Sequence, residues 1–78
     1  MTKKEAKVEL INSNIKLGDI YTLRINNKKY VVDLMNAQVN TNNTNLYHPR
    51  IRVKEINGTS VFSEELSVFH IRFEKLIS

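Results

Sequence analysis

The side chains with chemistry to offer in this chain are two imidazoles, His48 and His70, eight carboxylates and twelve cations, with no cysteine. Acid–base catalysis needs a group within hydrogen-bond reach of its partner, and a metal needs several ligands at helical or loop spacing. His48 and His70 stand far apart, and neither has a carboxylate or second imidazole at ligand spacing. Asp33 falls on the strand face opposite the expected core and reads as a solvated charge. A phosphate-cradling loop is ruled out because Gly18 and Gly58 are the only glycines. The lack of cysteine excludes a disulfide framework, a thiolate zinc site and a catalytic thiol. The expectation is therefore a protein that is not an enzyme, with no catalytic residue, no metal and no cofactor.

The cations are more suggestive. Net charge is +4, and the surplus belongs to residues 1–32, where Lys3, Lys4, Lys7, Lys16, Arg24, Lys28 and Lys29 outnumber Glu5, Glu9 and Asp19. In the second half Arg50, Arg52 and Lys54 alternate with apolar residues, so a strand there carries all three on one face. With Arg24, Lys28 and Lys29 nearby they could track phosphates, and Tyr47 or Tyr30 could stack on a base. Alternating cations on an exposed strand also keep its edge from pairing with other chains.

The elements that must position these groups are legible in part. Seventy-eight residues make one domain, 1–78, with an N-terminal helix in 1–14 and a β core in 15–78. Thr2-Lys3-Lys4-Glu5 is a capping box opening a helix over Lys3 to Asn12, with Ala6, Leu10 and Ile11 on one stripe. That helix either lies on a sheet or forms a solubilising arm. Strands follow over Asp19–Ile25 and Lys29–Met35, joined by Asn27-Lys28 or by Asn26-Asn27; the first is preferred, because the second sets Arg24 opposite Lys29. Either register puts Tyr21, Leu23 and Ile25 on the core face with Tyr30, Val32 and Leu34.

The Asn-rich stretch Asn36–Pro49 reads as a long loop, functional or only mobile. A second hairpin follows, Arg50 to Phe62, in which a type I′ turn at Asn57-Gly58 pairs Val53 with Phe62 and Lys54 with Val61. Ser63-Glu64-Glu65 reads as a helix start, giving a helical turn over Glu64–His70 and a last strand over Arg72–Ile77. The fold class is mostly β: a small five-stranded barrel or strongly bent antiparallel sheet, with an N-terminal helix and a short helical turn before the last strand. No segment reads as a signal peptide or membrane span, so a cytoplasmic protein is expected, with no membrane partner.

Gly18-Asp19-Ile20-Tyr21, Tyr30-Val31-Val32, Arg52-Val53-Lys54, Ser63, Phe69 and Phe73-Glu74-Lys75-Leu76 together resemble the small SH3-like barrel proteins of Gram-positive phages and mobile elements. The resemblance covers about residues 18–77 and implies a fold more than an activity. Such proteins have no shared catalytic set to carry over. The long loop and charged helix depart from the pattern.

What the resemblance implies is a binding module that occupies, and so inhibits, a host or defence protein. The side chains expected to make contact are Arg50, Arg52, Lys54, Tyr47, Arg24, Lys28 and Lys29, with Asn40, Asn42, Asn43 and Asn45 as a loop rim and Tyr21 beside them. A nucleic-acid-binding module using the same cations is the alternative, and a structural or assembly role through an edge strand is a third. Oligomeric state is left open.

Overall fold

The computed structural model describes residues 1–40 and 42–76. Its elements are α1 (Lys3–Asn12), β1 (Ile20–Leu23), β2 (Lys29–Asn40), β3 (Asn43–Glu55), β4 (Val61–Glu65), α2 (Leu66–Arg72) and β5 (Phe73–Lys75). The strands form one antiparallel sheet in the order β4-β3-β2-β1-β5, so the chain meanders outward and its last strand returns beside the first. The sheet is open, with β4 and β5 as its edges. No helix among the described residues is long and apolar enough to cross a membrane.

The capping box forms as the sequence dictates. Glu5 N–H donates to the Thr2 hydroxyl at 3.1 Å, and Thr2 N–H to the Glu5 carboxylate at 2.9 Å. Those bonds hold the Glu5 carboxyl below its ordinary range. The helix lies against β2 and β3 through Ala6 and Leu10, while Ile11, expected on the buried stripe, is 78% exposed. Met1 extends the contact: its carbonyl accepts from Tyr47 N–H at 2.7 Å, occupying the β3 edge beyond the end of β4. Pro49, next along that edge, has no N–H to leave open.

The Asn-rich stretch is therefore not a loop. Asn36 pairs with Arg50, Ala37 with Pro49, Gln38 with His48, Val39 with Tyr47 and Asn40 with Asn43, extending β2 and β3 into a ribbon. Asn is a poor strand former, but its propensity is overridden where a helix covers one face of the ribbon. A bulge sets which face that is. Val32 pairs with Val53 and Leu34 with Arg52, so Asp33 is an extra residue and the alternation shifts by one beyond it. Met35 packs on the core as a result, and Leu34, expected inside, is turned out.

The first hairpin keeps the expected parity, with Tyr21 opposite Tyr30, but adopts neither expected register. Leu23 N–H donates to the Lys28 carbonyl at 3.0 Å, leaving a four-residue loop, Arg24–Asn27, with Asn27 at φ 58°. Ile25 sits in that loop and is 86% exposed instead of buried. The second hairpin has the expected register, Val53 with Phe62 and Lys54 with Val61. Its turn is not type I′, because Asn57 alone has a positive φ, 64°.

Ser63 does not start a helix. Pairing of Arg52 with Ser63 and Arg50 with Glu65 carries β4 through to Glu65, and α2 begins only at Leu66. The last strand is correspondingly short, Phe73–Lys75, paired to β1; Ile77 lies outside the described residues. Between α2 and the sheet sits an aromatic cluster. Phe69 stacks on Phe73 at 4.8 Å and meets Tyr21 edge-on at 4.8 Å, while Tyr30 meets Phe62 at 5.5 Å and Phe73 at 5.6 Å.

Tyr21 lies within this core, and its phenol is pushed above its ordinary value, first by burial and then by the nearby Asp19 charge. The neutral phenol is the form the fold prefers. Its contribution to stability is present below about pH 10 and is lost as pH climbs through the raised folded-state value. Melting temperature is thus expected to fall on the alkaline side, and Tyr21→Phe to flatten that limb in a series from pH 8 to 11.5 (roughly, around the phenol range). Parallel alkaline limbs in the two proteins would contradict this.

Candidate functional site

The sheet has one face covered by the helices and one face open. Strand alternation puts Arg50, Arg52 and Lys54 on the open face, as the sequence implied, but two of the three are already engaged. Arg52 makes a two-pronged contact with Asp33, Nε to Oδ1 at 2.9 Å and Nη2 to Oδ2 at 3.1 Å. These bonds raise the guanidinium above its ordinary value. Asp33 is thus no free solvated charge, and the bulge is what brings it beside Arg52. Arg50 donates to the Ser63 hydroxyl at 3.2 Å and to the Ser63 carbonyl at 2.8 Å. Lys54 forms no ion pair among the described residues.

The remaining expected contact residues are dispersed. Arg24 reaches Glu74 at 3.5 Å, and Lys28 and Lys29 lie at the far end of the first hairpin without an ion pair among the described residues. Tyr47 is half-buried under the N-terminus, and Tyr21 and Tyr30 are buried, so neither of the latter can stack on a base or offer a contact surface. At the ribbon tip Asn40 Nδ2 lies 3.2 Å from His48 Nε2, and the Asn40 carboxamide oxygen accepts from Asn42 N–H at 2.8 Å. The side chains of Asn43 and Asn45 lie outside the described residues.

His48 and His70, distant in sequence, line one groove of about 750 Å³ between α1 and α2. His48 Nδ1 is 3.8 Å from a Glu65 oxygen. No group of three or more His, Asp or Glu side chains among the described residues could hold a metal ion.

A row of apolar residues crosses the open face, and the sequence reading missed it. Val61 pairs with Lys54, Lys54 with Val31, Val31 with Ile20, and Leu76 N–H donates to the Ile20 carbonyl at 3.0 Å. One line across the whole sheet therefore reads Val61, Lys54, Val31, Ile20, Leu76. Val61 is 52% exposed, Ile20 and Leu76 about a third, and Val31 is half-buried by its neighbours. Leu34 is exposed beyond them on the same face. The signal was present in Tyr30-Val31-Val32, apolar on both faces of one strand, whereas a sheet with one wet face alternates.

Comparison of the chain with family models, curated proteins and solved structures finds no match.

Proposed function

We propose that the chain is a non-enzymatic binding module whose partner is a protein, engaged through the open face of the sheet. The observation that carries the reading is the apolar row Val61, Val31, Ile20 and Leu76 around Lys54, which has no ion pair among the described residues. Interface centres are apolar and poor in charge, whereas phosphate-tracking surfaces need several free cations in line. Here Asp33 neutralises Arg52 and Ser63 fixes the guanidinium of Arg50, so the row of three cations is broken at its centre, which favours a protein over a nucleic acid. The resemblance to phage and mobile-element barrels supplies the partner class, a host or defence protein met in the cytosol and inhibited by occupation. Edge strand β4 is open to an added strand beside that face.

Binding to duplex and single-stranded oligonucleotides across a salt series, beside capture of a protein partner, tests this reading. Weak oligonucleotide binding that vanishes near physiological salt, with partner capture that persists there, is expected. Tight oligonucleotide binding whose log-affinity falls steeply with log salt, and is lost in Lys54→Ala, would transfer the face to nucleic acid.

A further inference from the structure

On the covered side of the sheet, away from the face just described, a second groove of about 630 Å³ runs between α1 and β2. Its floor is Leu10, Ile15 and Met35, with Ile11 as an exposed shoulder, and its rim is Lys3, Lys7 and Lys16. No acidic side chain lines it. The acids of α1, Glu5 and Glu9, face the other groove together with Lys4, so the side of the helix toward this groove carries lysines alone.

Lys3 and Lys7 are one turn apart, a like-charge spacing that weakens a helix unless an anion lies between them. Neither forms an ion pair among the described residues, and neither does Lys16. Lys16 is held in place by its backbone: its N–H donates to Asp19 Oδ2 at 3.0 Å and its carbonyl accepts from Asp19 N–H at 3.0 Å. That carboxylate also faces Lys75 Nζ at 3.6 Å, so it is committed away from the Lys16 ammonium.

From this charge pattern we propose that the groove binds an acidic amphipathic helix of a partner protein, its apolar stripe on Leu10, Ile15 and Met35 and its carboxylates on the lysine rim. A helix laid along α1 presents acids at i and i+4, roughly 6 Å apart along its axis, the same repeat as Lys3 and Lys7. The groove is too open to enclose a single acyl chain, since ligand cavities bury most of a small molecule's surface and Ile11 here is 78% exposed. This site is independent of the open face.

The test is an amide-resolved NMR titration with a synthetic helix of about 14 residues, Leu at i, i+3, i+4 and i+7 and Glu on both flanks. Shifts are expected at Lys3, Lys7, Ile11, Lys16 and Ala37, with a micromolar Kd that rises about tenfold or more in K3E/K7E/K16E. Only Lys3 lies in the first turn, where Glu favours a helix, and Glu at 3 and 7 repeats the like-charge spacing of the lysines, so an unchanged amide spectrum elsewhere and unchanged helical circular dichroism verify that α1 is kept. Val31→Glu is expected to leave the titration unaltered, separating this site from the open face. Equal binding by the Lys-for-Glu peptide or by a scrambled acidic peptide would overturn the proposal. So would shifts confined to the open face, saturation by oleate without peptide binding, or no binding at all.

Discussion

Phe69→Ala is expected to remove about half or more of the fold's stability. Phe69 is fully buried, stacked on Phe73 and edge-on to Tyr21, so truncation opens a cavity where three elements meet. Deleting a core Phe costs about 3–5 kcal/mol, and each lost aromatic pair adds roughly 0.5–1.5. A domain of this length has only about 4–12 kcal/mol to lose. Urea unfolding followed by circular dichroism measures it, with Phe69→Leu as the milder comparison, expected to keep the fold at a cost of roughly 1–2 kcal/mol. A cost below about 1 kcal/mol for the alanine variant would mean that α2 is not seated on the sheet as described.

Val31→Glu is the second large effect, this time on binding. Val31 is the centre of the apolar row, flanked across the strands by Ile20 and Lys54. A carboxylate there lies opposite a lysine, a cross-strand pair that the sheet tolerates, so the fold is expected to survive. Against a docked protein the same carboxylate loses apolar contact and is buried with an imperfect partner, which costs about 2–5 kcal/mol, or roughly 30- to 4,000-fold in Kd. Partner affinity by calorimetry or surface immobilisation reads this directly. Retained affinity in Val31→Glu, with an intact fold, would place the binding surface elsewhere.

Local chemistry accounts for what the sequence revealed of the fold. The capping box at Thr2 and Glu5 and the register set by Asn57-Gly58 each depend on a few adjacent residues, and both are present in the structure. What was hidden depends on contacts distant in sequence. The Asn36–Pro49 ribbon extends where α1 packs against β2 and β3, and nothing within the stretch announces that cover. Ser63 has the composition of a helix cap, yet its partner Arg52 on β3 keeps it in a strand. The site followed the same division. Alternation correctly placed Arg50, Arg52 and Lys54 on one face, but the ties to Ser63 and Asp33 bridge 13 and 19 residues and could not be read from spacing.

The bulge at Asp33 also bears on how the gene can change. Strands rarely accept an altered length, because losing one residue turns every later side chain over. Here the pairs on either side of Asp33, Val32 with Val53 and Leu34 with Arg52, are already consecutive on β3. Loss of that one codon would close the ladder with every later pair unchanged, the inward and outward faces of the ribbon included. It would remove only the carboxylate that neutralises Arg52. A single-codon deletion thus separates this face from one bearing a free guanidinium, a route by which a lineage could alter what the surface recognises while keeping its core.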